Sequence, residues 1–193
     1  TNGDHGDLKV IGNSTPRYEY SFRIGADYKG FDISIYCQGI GKRKIWGAGQ
    51  LAIPGWNAKE GAMPETFCKD YWREDNTDAF YPRAWDLGGS NTGYTMQKQS
   101  KYLLNMAYLR VKNINLGYTF PQKWMQKAYI NNLRVYMSLE NFFTFDHLRG
   151  LPIDPEAISG YSMFTDSNNY NLGRTGTGTP VFKSLSFGLQ LSF

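Results

Sequence analysis

Several kinds of residue pattern are scarce or missing from the chain, and each absence removes a class of function. Cysteine is nearly absent: Cys37 and Cys68 stand alone, without the density of a disulfide framework or the spacing of a zinc site. Histidine is equally sparse, and neither His5 nor His147 has the i, i+4 partner of a metal-binding helix. The acidic stretches "GDHGD" and "DPE" lack the spacing of a calcium loop, and "GRTGTGTP" lacks the lysine and helix of a phosphate loop. Asp75, Asp78 and Asp86 have no fixed acid–base separation. No catalytic constellation and no cofactor site emerges, so the chain reads as a non-enzyme. A net charge of +4, with Lys42, Arg43 and Lys44 as the one compact basic cluster, gives no reason to expect nucleic acid. No secretory signal opens the chain, and no run of about 18 apolar residues marks a spanning helix. A β-barrel is untouched by that last absence, because its spans alternate.

What is abundant is aromatic: 16% of the residues are Phe, Trp or Tyr, which suits strands and interfacial girdles. Four segments alternate with period two. "YEYSFRIGADY" puts Tyr18, Tyr20, Phe22, Ile24, Ala26 and Tyr28 on one face, and Lys29-Gly30 then makes a tight link to "FDISIYC", with Phe31, Ile33, Ile35 and Cys37 on one face. "LRVYMSLENFFTF" aligns Leu133, Val135, Met137, Leu139, Asn141, Phe143 and Phe145; the last segment aligns Leu185, Phe187, Leu189, Leu191 and Phe193. None of these apolar-face positions is charged, although 20% of the chain is Asp, Glu, Lys or Arg. Glu19, Arg23, Asp27, Asp32, Arg134 and Glu140 all fall on the opposite face. A fifth segment, "YLRVKNINLGYTF", breaks phase between Val111 and Ile114, which predicts a bulge near Lys112-Asn113 or an outer end clear of the apolar zone.

The spacing predicts an all-β, antiparallel fold with strands over 18–28, 31–38, 103–120, 133–145 and 182–193. Short links alternate with long ones, 39–101 and 146–180, as in a barrel with turns on one side and large loops on the other. Tyr28, Phe31, Tyr118, Phe120, Trp124 and Phe193 would then gather at the short-turn end. Five strands cannot close a transmembrane barrel, whose smallest members have about eight. Open edges in lipid leave backbone groups unpaired, so the chain reads as a piece of something larger.

The motifs match a family. "VIGNSTPRYEYSFRIGADYKGFDISIYCQGIGKR", "YWREDNTDAFYPR", "YLRVKNINLGYTFPQKW", "LRVYMSLENFFTF", "GLPIDPE" and "SLSFGLQLSF" occur in that order. With them the chain resembles the C-terminal end of SusC/RagA-type TonB-dependent outer-membrane transporters of Bacteroidetes. The resemblance implies the last section of a barrel of about 22 strands in the cell outer membrane. The plug domain and TonB box are absent from this stretch. The implied activity is import of glycan or peptide. The implied partners are a SusD-like surface lipoprotein, the TonB system acting through the missing N-terminal part, the barrel assembly machinery and outer-membrane lipid.

On that frame Glu19, Arg23, Asp27, Arg134, Tyr136 and Glu140 face the lumen. Ser186, Gly188, Leu191 and Phe193 have the spacing of an outer-membrane assembly signal, read by strand augmentation. Trp46, Trp56 and Trp72, in the first long loop, are candidates for contact with ligand or lid, or they form the loop's own small core, as Trp85 and the "FYPR" run do. The alternative to the whole reading is a soluble, aromatic-rich β-sandwich that binds carbohydrate.

Overall fold

The computed structural model describes residues 9–47, 64–83, 99–125, 129–156 and 179–193. The chain divides into two units. One is a five-stranded antiparallel sheet built from β1 (Tyr18–Tyr28), β2 (Phe31–Gly41), β5 (Tyr108–Thr119), β6 (Asn132–Asp146) and β7 (Ser184–Ser192), paired in that order. The other comes from the long connections and holds β3 (Lys44–Ile45), β4 (Leu104–Asn105) and the short helix α1 (Glu65–Lys69). A further single turn of helix, α2 (Gln122–Met125), sits in the β5–β6 link. Almost all regular structure is therefore β, and no described helix is long and apolar enough to cross a membrane.

Four of the five expected strands change bounds: 133–145 becomes Asn132–Asp146, 182–193 becomes Ser184–Ser192, and two changes are larger. The strand expected to end at 38 runs on to Gly41. The segment expected as one strand over 103–120 is two: β4 pairs with β3, and only β5 joins the large sheet. The β1–β2 link is a two-residue turn whose central residues, Lys29 and Gly30, both have positive φ (48° and 89°). Such turns twist in the sense that right-handed strands require. Gly30 also lies against the Thr119 carbonyl, where a Cβ would collide.

The phase break in β5 is a bulge, with Lys112 as the extra residue. Tyr36 pairs with Asn113 and Cys37 with Val111, so the register with β2 steps over Lys112. Toward β6, Val111 pairs with Phe143 and Asn113 with Glu140, leaving Asn141 and Phe142 opposite Lys112. Asn141 takes up the distortion with φ 56° and donates from Nδ2 to the Phe182 carbonyl at 3.1 Å. The bulge restores parity, so Leu109 and Val111 continue on one face with Ile114, Leu116 and Tyr118.

Register then builds continuous rows. Ala26, Ile33, Leu116, Met137 and Phe187 stand side by side across five strands, as do Ile24, Ile35, Ile114, Leu139 and Leu185. On the other face run Gly25, Ser34, Asn115, Ser138 and Ser186, and Arg23, Tyr36, Asn113, Glu140 and Ser184. Much of the apolar face is open: Ile24 is 60% exposed, Leu189 59% and Phe187 76%. Phe22, Ile33 and Leu189 thus do not converge in a closed core, as a β-sandwich would require. At the turn end Phe31 lies 4.5 Å from Tyr118, Tyr118 5.0 Å from Phe120, and Phe120 6.4 Å from Trp124 between ring centres.

The loop-built unit has its own core of Ile45, Leu104, Met106, Leu148, Leu151 and Ile153. These come from three stretches far apart in sequence. The last is shaped by a turn in which Leu151 N–H donates to the Leu148 carbonyl at 3.1 Å, with Arg149 and Gly150 both at positive φ. Phe67 of α1 is buried between the rings of Tyr71 and Tyr81.

Candidate functional site

The polar face of the large sheet carries the most organised set of side chains. Strand alternation places Glu19, Arg23, Asp27, Arg134, Tyr136 and Glu140 there together. One row crosses all five strands as Asp27, Asp32, Gly117, Tyr136 and Gly188. Arg134 reaches from β6 across Gly117 to grip Asp32 on β2 with two bonds, Nε to Oδ1 at 3.0 Å and Nη2 to Oδ2 at 2.5 Å. This is the fork-to-carboxylate geometry that only arginine makes. A Cβ at Gly117 would run into both partners, so the glycine is what lets the pair lie flat on the sheet.

Arg134 also sits 5.1 Å from the centre of the Tyr136 ring, and Arg23 sits 5.5 Å from that of Tyr36. Beside them runs a hydrogen-bonded set: Asn115 Nδ2 donates to Asn113 Oδ1, and Asn113 Nδ2 to Ser138 Oγ at 3.0 Å. Two participants escaped the sequence reading. Asp32 is there merely one more charge on the polar face. Arg110, only 3% exposed, donates from Nε to Thr144 Oγ1 at 2.9 Å. Its position between Leu109 and Val111 is the signal that puts it on the polar face.

The terminal residues divide by parity. Ser186 stands opposite Ser138 and Gly188 opposite Tyr136 on the polar face; Leu191 stands opposite Leu133 on the apolar one. Phe193 follows the last paired residue, Ser192, and is 81% exposed.

Of the loop tryptophans, Trp46 and Trp72 are among the described residues. Trp46 is half-buried beside Ile45. Trp72 is half-buried, and its N–H donates to the Tyr81 carbonyl at 3.1 Å. Its ring is faced by the Arg83 guanidinium at 5.9 Å. Trp56 and Trp85 lie outside the described residues. An apolar cleft in this unit is lined by Phe80, Tyr81, Tyr102, Leu104, His147 and Leu148. Arg149 closes one side, 3.9 Å from the Phe80 ring centre and 3.3 Å from Asp70 Oδ2. Burial pushes the Tyr81 and Tyr102 hydroxyls above the usual phenol range, with the Arg149 charge pulling Tyr81 the other way. His147 lies 3.2 Å from the Ala107 carbonyl through Nδ1, so a backbone contact accounts for it. Among the described residues no cluster of His, Cys, Asp and Glu could hold a metal ion.

No family model matches the chain. It is 27% identical over 190 residues to TonB-dependent receptor P3 of Formosa agariphila, covering 97% of this chain and 17% of that protein. It is 33% identical over 108 residues to TonB-dependent receptor SusC of Bacteroides thetaiotaomicron, covering 55% of this chain and 9% of that one. Its fold superposes on a chain of the RagAB peptide transporter with a TM-score of 0.63 at 22% identity, covering 96% of this chain and 18% of that one. The chain thus spans less than a fifth of the length of the relatives it matches.

Proposed function

Since the chain is a relative of TonB-dependent receptors of the SusC kind, and a C-terminal section fits its share of their length, we propose that it serves outer-membrane nutrient import as the closing section of such a transporter's barrel. The observation that carries this reading is the continuous apolar face of the large sheet, open across all five strands. Monomeric proteins in water seldom expose a patch of that extent. Hydrocarbon tails take such a face, while the Asp32–Arg134–Tyr136 face looks into an aqueous lumen.

The remaining assignments follow from the family. Strands before β1 complete the barrel, a plug fills it, and a SusD-like lipoprotein closes over the external loops. The imported ligand is a glycan or a peptide. A peptide transporter stands among the fold neighbours. Trp46, Trp56 and Trp72 are the loop positions proposed to meet ligand or lid. Ser186, Gly188, Leu191 and Phe193 are proposed as the assembly signal.

The test is fractionation of the full-length gene product. It is expected in the outer membrane, as a band that runs faster on SDS gels unless boiled. Recovery of a folded, detergent-free monomer from the soluble fraction would favour the β-sandwich reading instead.

A further inference from the structure

Gly188 has a geometric role separate from any signal in the terminal strand. It stands directly opposite Tyr136. A Cβ built on Gly188 would overlap the Tyr136 ring at Cζ, Cε1 and the hydroxyl oxygen. The ring therefore lies down across β7 and occupies the space over its one glycine. The neighbours on that face of β7 are Ser184, Ser186, Gln190 and Ser192, each of which carries a side chain. A shift of β7 by one residue would turn its apolar residues onto the polar face. A shift by two would preserve the faces but bring Ser186 or Gln190 beneath the ring, where a side chain would evict it. Alternation thus excludes odd slips, and only a contact specific to one position excludes even ones.

The ring is in turn held from the other side. Arg134 sits over it and is itself forked onto Asp32 across Gly117. Three strands, β2, β5 and β6, thereby set where the Tyr136 ring can lie.

We infer that Tyr136 seated on Gly188 is the register lock of the terminal strand, a role that position 188 has in addition to its proposed place in the assembly signal. Aromatic cover of a strand glycine also offsets the weakness that a bare glycine brings to a sheet. Membrane location rests on the proposed function; the lock does not.

The experiment uses the full-length transporter, refolded from urea into phosphatidylcholine vesicles with no assembly machinery present. The folded fraction is read as the fast band of unboiled samples. Four variants join the wild type: Gly188→Ala, Tyr136→Ala, Tyr136→Phe and the double variant Gly188→Ala with Tyr136→Ala. With Tyr136 present, Gly188→Ala is expected to raise the ratio of unfolded to folded protein at the wild-type urea midpoint about fivefold. In the Tyr136→Ala background the same change is expected to do nothing or to stabilise. Tyr136→Phe, which keeps the ring, is expected to stay near wild type.

An equal effect of Gly188→Ala in both backgrounds would overturn the lock. So would refolding of Gly188→Ala in vesicles with the wild-type urea midpoint. A wild-type chain that never gives the fast band counts against the barrel reading. A wild type that gives it, with no coupling between positions 136 and 188, counts against the lock alone.

Discussion

At the scale of single residues, the polar face is organised by pairs whose members lie far apart in sequence. Asp32 and Arg134 are separated by 102 positions and meet through two bonds. Nothing around either residue announces the other. What the sequence does carry is parity, which puts both on the charge-bearing face. Their side chains are about a quarter exposed, at 25% and 28%, so solvent screens the pair. Breaking it should cost about 1 kcal/mol, at the upper end for accessible ion pairs because the geometry is bidentate. Arg134→Met is therefore expected to lower the urea midpoint of the refolded full-length protein. Arg134→Lys should recover less than half of that loss, because an ammonium cannot fork. Equal behaviour of Met and Lys with wild type would remove the pair from any account of stability. For Trp46 and Trp72 the sequence leaves open whether they meet ligand or lid or form a small core; both are half-buried, and the clustered core of the unit is Ile45, Leu104, Met106, Leu148, Leu151 and Ile153.

At the scale of elements, β5 is the informative strand. Its two halves disagree in phase, and the register shift at Lys112 reconciles them. A pair of deletions separates this account from simple length dependence. Removing Lys112 leaves Leu109, Val111, Ile114, Leu116 and Tyr118 in unbroken alternation, and the fast-migrating band is expected to persist. Removing Asn115 sends Leu116 and Tyr118 to the charged face, and the band is expected to vanish. If both deletions behave alike, the bulge is not what sets parity. The β1–β2 turn is legible from sequence because its requirement is local: two residues at positive φ, one of them glycine. The split of 103–120 into β4 and β5 is not legible. Apolar residues continue through Leu103 and Leu104, and only the pairing of Leu104 with Ile45 draws that end away.

At the scale of the whole molecule, the proposed function sets the two faces of one sheet against two solvents. A charge placed in the middle of the apolar face tests this directly. Ile33→Lys would set an ammonium in the row of Leu116, Met137 and Phe187, at a cost of about 2–4 kcal/mol near mid-membrane. The neighbouring change Ser34→Lys falls on the polar face and is expected to cost a small fraction of that. Refolding of both variants into vesicles, compared by urea midpoint, checks the difference. Equal tolerance of the two lysines would mean that both faces meet water.

The sequence by itself determined which residues share a face, where the tight turn falls, and that one strand changes phase between Val111 and Ile114. All three follow from steric rules acting between near neighbours along the chain. Only the tertiary structure decided that Arg134 crosses Gly117 to Asp32, that the Tyr136 ring settles on Gly188, and that three distant stretches build the aliphatic core of the loops. Those outcomes depend on which strands become neighbours and at what register. Register is set by contacts across the sheet, between residues that the linear order keeps apart.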